Sequence, residues 1–295
     1  MLNKKINDNR DIGATFSTPY EKGAISQAIR VRYIYCQCYE IVLPNGRTIV
    51  TDPFVTHGVN DFSVDDFTGA DYIILSHTHI DHDEDVRRLV DIFHGQVICL
   101  SPVAMEIAKS FDIPYANIYP VDWNGTYYLD GFKFETFHGL HDNRMAREGK
   151  EERPSERGDR TFNGIGLENH KSLDELGSLF MLNYVITTDN NFKISYSSGQ
   201  NFDDYAHYMD IVQPNIMLRH RIRTYSADEF AGQCERVGTQ FILPLHHNNA
   251  LKIGQDLNAY FIDVNEVLKA HGSTARAFNP KPYQWYNFGI SIQES

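Results

Sequence analysis

The chain has 295 residues, of which 42% are hydrophobic, so it can bury a full core in one large domain or two small ones. Its formal net charge of −12 disfavours extended binding to nucleic acid, because an acidic surface repels a polyphosphate backbone. No apolar stretch is long enough to span a bilayer and residues 1–10 lack the apolar segment of a secretory signal, so we expect a cytoplasmic protein with no membrane partner.

The first predicted elements are short strands between Ile29 and Pro53. The dipeptide Asn45-Gly46 lies between two apolar runs, which is typical of a hairpin turn. Cys36 and Cys38 lie on what looks like one strand, where they would share a face. A CxC pair can bind metal, but the chain has only four cysteines and we expect buried free thiols rather than a disulfide framework.

The most informative segment follows a buried strand. The run Tyr72–Leu75 is apolar, and the residues at 77–82 read HTHIDH. Apolar residues at helical spacing between Val86 and Phe93 then predict a helix that ends near Gly95. The segment therefore lies on a strand-to-helix turn, where imidazoles and a carboxylate can converge: His77, His79, Asp81 and His82. Such ligands suit zinc, manganese or iron, so the sequence predicts a catalytic metal site.

The remaining elements alternate between strands and helices. Strands are predicted at Gln96–Leu100, Thr126–Leu129, Phe132–Phe137, Phe180–Thr187, Phe192–Ser197 and Phe241–Leu243. Helices are predicted to begin at a Ser101 cap, at the capping box of Ser226 and Glu229, and at caps formed by Asp263 and Glu266. Strands mixed with helices in both halves predict a layered α/β protein.

One segment, 143–175, differs from the rest in composition. It is charged, rich in turn-forming residues and poor in apolar periodicity. Loops of this length are commonly lids or interfaces. We therefore expect an inserted loop at 143–175, either a functional lid or a solvated excursion on the surface.

Further polar residues follow the ends of later strands. Beyond three of the predicted strands lie His138 and His141, then Gln200, and then His246 and His247. Histidines in such positions are delivered as His77 is, just past a strand end. They are therefore candidates to complete a metal site that the first cluster begins.

The order of these motifs resembles the metallo-β-lactamase-fold hydrolase superfamily. The motifs are HxHxDH, a strand-end histidine, a strand that ends in glycine plus a polar residue, and Pro-x-His. The resemblance extends from about Val31 to His247, and the segments around Asp52-Pro53-Phe54 and Pro244-Leu245-His246 look most like the branch that contains L-ascorbate-6-phosphate lactonase. It implies one domain over 1–295, a four-layer αββα sandwich of two mixed β-sheets flanked by helices.

The resemblance also implies two metal ions, zinc or manganese. The first ion would be bound by His77, His79 and His141, with His138 as the alternative to His141. The second ion would be bound by Asp81, His82 and His246, with His247 in an outer or structural position. Asp52 resembles a strand-end aspartate that orients a ligand. Asp81 would also accept a proton from the attacking water.

Gln200 departs from the family pattern. Similar proteins usually have an aspartate there, whose carboxylate bridges the two metals, and a neutral glutamine cannot bridge in the same way. Each ion would keep three protein ligands, which still matches an open catalytic zinc. Two close cations repel each other more when there is less negative charge between them. We therefore expect either weakened occupancy of one site, that of the second ion, or a single metal in the isolated protein.

The resemblance implies hydrolysis by a metal-activated water. The expected substrate is a small anionic metabolite, a lactone or a phosphodiester. Arg219 and Arg221, near a strand end and a helix start, are candidates to hold its anionic group, and Asn248 to orient its polar groups. The alternative is a metal-poor protein that binds a ligand or partner without turnover, because of Gln200. A nuclease acting on RNA is disfavoured by the acidic charge, and a homo-oligomer is left open.

Overall fold

The computed structural model describes residues 28–141, 161–162, 165–201, 208–209, 211–221, 225–235, 239–248 and 254–289. The strands are β1 (Ile29–Tyr35), β2 (Cys38–Val42), β3 (Thr48–Thr51), β4 (Tyr72–Ile74), β5 (Gln96–Leu100), β6 (Ile118–Val121), β7 (Thr126–Leu129), β8 (Phe132–Leu140), β9 (Thr161–Phe162), β10 (Ile165–Gly166), β11 (Met181–Thr188), β12 (Lys193–Ser197), β13 (Gln200–Asn201), β14 (Ile216–His220), β15 (Phe241–Leu245), β16 (Arg276–Ala277) and β17 (Trp285–Phe288). The helices are α1 (Ile80–Asp83), α2 (Val86–Phe93), α3 (Ser101–Ser110), α4 (Leu167–Gly177), α5 (Ala227–Glu235) and α6 (Leu257–Ala270). Short 3₁₀ turns lie at Val64–Asp66 and Tyr115–Asn117.

The strands form two mixed sheets. The first sheet has the order β17-β1-β2-β3-β4-β5-β6; it is antiparallel from β17 to β3 and parallel from β3 to β6. The second has the order β13-β8-β11-β12-β14-β15-β16, with β7 also paired to β8. It is antiparallel from β13 to β12 and parallel from β12 to β16. Parallel strands end at the same edge of a sheet, and the residues that follow them can therefore meet.

The main core lies between the two sheets. Ile73 from the first sheet and Phe134 and Tyr184 from the second belong to one cluster of buried side chains. Val185, the next residue along β11, belongs instead to a second cluster with residues of α5 and α6. This alternation follows from the two-residue period of a strand. With α2 and α3 packed on the strands of the first sheet, the layers are helix, sheet, sheet and helix, and the predicted fold class is confirmed.

Several predicted elements match the structure closely. Strands β5 and β7 have the predicted bounds, and the hairpin turn holds Gly46 at a φ of 88°. Ser226 and Glu229 form the predicted capping box, in which the Glu229 amide donates to the Ser226 hydroxyl at 3.1 Å. No helix among the described residues is long and apolar enough to cross a bilayer.

Two predicted helix starts are wrong. Residue Leu100 is the cap of α3, and the Ser101 hydroxyl donates instead to the Val121 carbonyl of β6 at 3.2 Å. Helix α6 begins earlier than expected, because the Asp256 carboxylate accepts bonds from the amides of Asn258 and Ala259. Asp263 and Glu266 therefore lie inside that helix.

The predicted strand across Cys36 and Cys38 is also wrong. Cys36 has a φ of 54°, which breaks the run into β1 and β2 joined by a tight turn at Cys36-Gln37. The two thiols therefore do not lie together on one strand face. Cys36 lies in the turn and Cys38 begins β2.

The segment 143–175 is only partly a loop. Its part at 167–175 belongs to α4, and the two short strands β9 and β10 pair just before this helix. Leu173 is buried in the main core, and His170 lies 2.8 Å from the Asp83 carboxylate of α1. These tertiary contacts stabilise a helix that weak apolar periodicity did not predict. The expected lid residues at 143–160 lie outside the described residues.

Candidate metal centre

The HTHIDH segment lies at the end of β4, where the two sheets meet. His79 is the cap residue before α1, so the chain turns between His77 and Asp81. His77 and His82 are buried with their ring centroids 3.8 Å apart, while His79 and Asp81 are half-buried. The predicted strand-to-helix turn is therefore present, and its side chains point in two directions, toward two separate clusters.

The first cluster consists of three histidines. One ring nitrogen from each of His77, His79 and His141 lies within 4.8 Å of the others. Nε2 of His77 lies 3.1 Å from Nδ1 of His79. Two nitrogens on one tetrahedral zinc would lie about 3.3 Å apart, given zinc–nitrogen bonds of about 2.0–2.1 Å. The spacing therefore fits two ligands of one ion.

In the first cluster, the ring nitrogens of His77 and His79 that do not face each other lie next to serine hydroxyl groups. Nδ1 of His77 lies 2.9 Å from Ser76 Oγ, and Nε2 of His79 lies 3.1 Å from Ser178 Oγ. Such contacts orient a ring so that its other nitrogen faces the metal. Burial, reinforced by the neighbouring imidazoles, lowers the pKa of His77 well below its usual value. His77 is thus neutral near pH 7, which is the form that binds metal.

The path of β8 decides between His138 and His141. The strand continues to Leu140, three residues further than predicted, so His138 lies within it and His141 follows its end. Residues 138 and 141 therefore face opposite sides of the strand. The His138 ring packs on Trp123 at 4.3 Å, whereas the His141 ring lies 4.6 Å from that of His79. The structure brings His141 into the cluster and leaves His138 outside it.

The second cluster combines three predicted residues with one that was not assigned to it. Cys36, Asp81, His82 and His246 each offer a ligand atom within 4.8 Å of the others. An Asp81 oxygen lies 3.2 Å from Nε2 of His246, and the other lies 3.7 Å from Nε2 of His82. The CxC motif is the only sequence signal for Cys36. Because a continuous strand was expected there, the turn that directs the Cys36 thiol toward this cluster was not predicted.

The electrostatics of the second cluster favour a positive charge. Burial alone would lower the pKa of His246, but Cys36 and Asp81 outweigh it and raise that pKa well above its usual value. A divalent cation would satisfy the same negative surroundings. His246 itself has a φ of 58° just after β15, a conformation that few residues other than glycine adopt.

Asp52 lies directly behind the second cluster. Its Oδ2 is 3.1 Å from Nδ1 of His82, so the opposite nitrogen of His82 faces Asp81. The same carboxylate accepts hydrogen bonds from the amide and hydroxyl of Ser76 and from the Tyr196 hydroxyl. This buried network places Asp52 where an orienting partner of a ligand is needed.

We expect Asp52→Asn to weaken metal binding by about 10–100-fold, the usual cost of losing an orienting partner. In asparagine an NH2 donor replaces one of the two acceptor oxygens. At present the hydroxyls of Ser76 and Tyr196 donate to Oδ2 of Asp52, and Nδ1 of His82 lies beside the same oxygen, so a donor in its place would lose these contacts. Competition with a zinc chelator measures the affinity. Asp91→Asn, which changes an exposed carboxylate on α2, is the control; equal affinity in the two variants would argue against the orienting role.

The remaining predicted residues lie around the clusters rather than in them. His247 packs on Tyr33 with ring centroids 4.5 Å apart, and burial followed by the charge of Arg221 lowers its pKa to about 3. Asn248 is buried. The structure describes only the backbone of Gln200, which pairs in β13 with Leu140, next to His141. The expected weakening of the second ion through Gln200 stays a prediction.

Arg219 and Arg221 are buried rather than solvated. Arg219 donates to Ser197, to the Gly199 carbonyl at 2.6 Å and to Gln233. Arg221 donates to Gln255 at 2.5 Å and lies over the Tyr260 ring. In the part of the chain that the structure describes, one nitrogen of Arg219 (Nε) and two of Arg221 (Nε and Nη1) are buried without a hydrogen-bond partner.

Two residues close to the metal centre were not predicted from the sequence. His220, at the end of β14, has its ring centroid 5.3 Å from that of His246. Gly177, the last residue of α4, lies against the first cluster, since a Cβ there would come within 2.6 Å of Cδ2 of His79. The motif at 219–221 drew attention to its two arginines and not to His220, and Gly177 has no motif around it. Both residues reach the site through tertiary packing.

We expect Gly177→Ala to displace His79 and to weaken metal binding by about 10-fold or more, the lower bound for a disturbed ligand orientation. The backbone amide of His79 would also lie only 2.8 Å from the added methyl group, so the ligand cannot move aside freely. Gly232→Ala in α5 is the matched control, because its Cβ would meet nothing within 4 Å. It should stabilise the helix by up to about 1 kcal/mol. Equal zinc affinity in both variants would contradict the contact.

Comparison with known proteins agrees with this architecture. Residues 47–158, less than half of the chain, match the family described as Beta-lactamase superfamily domain. A UPF0173 metal-dependent hydrolase from Geobacillus sp. (strain WCH70) is 31% identical over 108 residues, which cover 36% of this chain and 46% of the relative. The chain spans less than half the length of the curated relatives that it matches.

Solved structures resemble the chain over most of its length. Igni18, a novel metallo hydrolase from Ignicoccus hospitalis, superposes with a TM-score of 0.66 at 13% identity, covering 90% of this chain and 100% of that one. The metallo-beta-lactamase fold protein YhfI from Bacillus subtilis gives 0.56 at 12% identity, covering 89% and 100%. The chain therefore has the metallo-β-lactamase fold. The resemblance to the branch that contains L-ascorbate-6-phosphate lactonase stays a prediction.

Proposed function

We propose that the chain is a metal-dependent hydrolase that acts on a small anionic metabolite, of the lactone or phosphodiester type. One observation carries the proposal: two sets of metal-ligating side chains meet at the turn between His77 and His82. The names of the matched relatives, metal-dependent hydrolase and metallo hydrolase, support it. The four buried free thiols are consistent with a cytoplasmic setting.

The donor sets fit zinc or manganese. In this proposal His77, His79 and His141 hold one ion, and Asp81, His82 and His246 contribute to the other. A bound metal that keeps an open position would act as a Lewis acid, lowering the pKa of a water to about 7 and polarising the attacked oxygen. Proton transfer and the orientation of the ligands are carried out by side chains of the protein.

Asp81 is the carboxylate that belongs to a cluster and also reaches solvent. Its side chain is 24% exposed and lies between His82 and His246. An acceptor in this position takes a proton from the attacking water while its other oxygen keeps its place among the ligands. Asp52, which is fully buried behind His82, orients that ring instead.

The two guanidinium groups of the segment 219–221 favour an anionic substrate. The segment ends β14 beside β15, which leads to His246, and it carries two buried guanidiniums with His220 between them. Arg219 is already engaged with the carbonyl of Gly199 and positions that turn. Arg221 keeps two nitrogens without partners among the described residues, so it is the better candidate to bind a phosphate or carboxylate.

A screen of lactones and phosphodiesters tests the function. The chain is stripped with a chelator and assayed before and after zinc or manganese is restored. We expect hydrolysis of at least one anionic substrate that depends on the metal and is abolished in His79→Ala. Activity that is unchanged in His79→Ala would rule out the metal mechanism. Metal binding without turnover of any substrate would favour the alternative, a binding protein, which the glutamine at position 200 prompts.

A further inference from the structure

We propose that Cys36 is a thiolate ligand of the second metal ion, and that it makes this site selective for zinc. The inference rests on the proposed metal binding, but not on any particular substrate. It concerns a residue from the β1–β2 turn, far in sequence from the other ligands. The second site would then have four protein donors rather than three: Cys36, Asp81, His82 and His246.

The distances around Cys36 are those of ligands on a common ion. Its Sγ lies 3.7 Å from Nε2 of His246, and that nitrogen lies 3.2 Å from the Asp81 carboxylate. With zinc–sulfur bonds of about 2.3 Å and zinc–nitrogen bonds of about 2.0–2.1 Å, tetrahedral geometry places sulfur and nitrogen about 3.5 Å apart. The same bond lengths place nitrogen and oxygen about 3.3 Å apart. Both observed separations agree to within a few tenths of an ångström.

The turn that carries Cys36 is fixed to the rest of the site. The amide of His246 donates to the Cys36 carbonyl at 2.8 Å, which ties one ligand-bearing segment to the other. The neighbouring Gln37 accepts hydrogen bonds through its side chain from Ser198 at 2.7 Å and through its carbonyl from Thr51 at 2.8 Å. Because these bonds do not involve metal, the thiol is held in position before an ion binds.

Hydrophobic packing alone does not explain the conformation of the Cys36 turn. Cys36 occupies the left-handed region with a φ of 54°, where a non-glycine residue is uncommon. Its Sγ lies 3.6 Å from Nδ1 and 3.7 Å from Nε2 of His246, and among the described residues it belongs to neither hydrophobic cluster. Cys38, two residues on, has ordinary strand geometry and belongs to the main hydrophobic cluster. The two cysteines of the motif therefore have different surroundings, and only Cys36 faces other metal-ligating groups.

The charge of the site also changes. Three donors, Asp81, His82 and His246, supply one negative charge, which was the basis for expecting a weak second ion. A thiolate adds a second negative charge, which replaces the charge that an aspartate would supply at the position of Gln200. Two negative charges next to two neutral imidazoles match a divalent cation. Cysteine sulfur, histidine nitrogen and carboxylate oxygen are all ligands that zinc takes in proteins.

The thiolate also sets the choice of metal. Soft sulfur ligands favour zinc, whereas manganese prefers carboxylate, carbonyl and water oxygens. The first cluster, with three imidazoles, also suits zinc better than manganese. We therefore expect zinc to fill both sites, and manganese to bind the second site much more weakly than zinc does.

Cobalt substitution tests the ligand directly. The chelator-stripped wild-type chain, titrated with cobalt(II), should develop the near-ultraviolet charge-transfer band of a cobalt–thiolate bond as the second site fills. Cys36→Ser should lose the band and bind the second zinc at least about 100-fold more weakly, more than the loss of an outer partner costs. Cys38→Ser is the matched control, since its thiol is equally buried but lies outside the cluster. It should keep both the band and the affinity.

The outcomes separate this proposal from the proposed function. If wild-type chain binds two cobalt ions without a thiolate band, Cys36 is not a ligand, while the metal centre itself stands. If Cys36→Ser keeps the wild-type zinc affinity, the proposal is likewise overturned. If wild-type chain binds neither cobalt nor zinc, the metal-dependent function fails. Thermal unfolding of metal-free Cys36→Ser checks folding, and the wild-type spectrum decides the question even if that variant does not fold.

Discussion

His141→Ala is expected to lower metal-dependent hydrolysis by about 1,000-fold or more. The substitution removes one of three ligands of the first site, and bound metal contributes several kcal/mol of transition-state stabilisation. A loss of about 4 kcal/mol corresponds to about a 1,000-fold drop in rate. The ratio kcat/KM on a substrate found in the screen measures the effect, and the zinc content of the same sample should fall by one ion.

His138→Ala is the matched control for this prediction. It removes a histidine three residues earlier, within β8, whose ring packs on Trp123 outside the cluster. We expect kcat/KM to change by no more than a few-fold and the zinc content to be unchanged. Loss of metal and activity in His138→Ala with retention in His141→Ala would contradict the site described above.

Glu40→Ala is expected to have the largest effect on stability, a loss of about 3–5 kcal/mol in the free energy of unfolding. Glu40 is fully buried in β2, where its carboxylate lies 2.5 Å from the Arg32 guanidinium and accepts bonds from the amide and hydroxyl of Thr68. Its removal leaves the buried Arg32 guanidinium without its carboxylate, and the amide and hydroxyl of Thr68 without their acceptor. Denaturant unfolding of metal-free protein measures the change.

A surface pair provides the comparison for Glu40. Arg87 and Asp91 form an exposed ion pair one turn apart in α2, at 2.8 Å. Exposed pairs of this kind contribute only about 0.3–0.5 kcal/mol, so Asp91→Ala should change the unfolding free energy by about that amount. A loss below about 1 kcal/mol in Glu40→Ala would mean that the Arg32 pair does not stabilise the fold as its burial indicates.

The sequence predicts best those features that depend on local pattern. The layered α/β fold, the bounds of β5 and the capping box at Ser226 follow from periodicity and capping chemistry, which act over a few residues. The turn at 77–82 is equally local, because an apolar strand, a run of ligand side chains and an amphipathic helix follow one another directly. These features needed no knowledge of distant contacts.

The features that the sequence did not predict depend on distant contacts. Strand β8 extends to Leu140 because β11 and β13 pair with its last residues, and this extension selects His141 over His138. The Cys36 turn contains no glycine, proline or asparagine to announce it. Its carbonyl is tied to His246, more than 200 residues later in the chain. Helix α4 is likewise held by the contact of His170 with Asp83.

Anomalous X-ray diffraction at the zinc absorption edge, from crystals of the zinc-loaded chain, locates the metal ions themselves. We expect one peak enclosed by His77, His79 and His141, and a second enclosed by Cys36, Asp81, His82 and His246. A second peak that lies away from Cys36 would overturn only the thiolate ligand. The absence of any peak among the three histidines would contradict the metal centre and the function proposed for it.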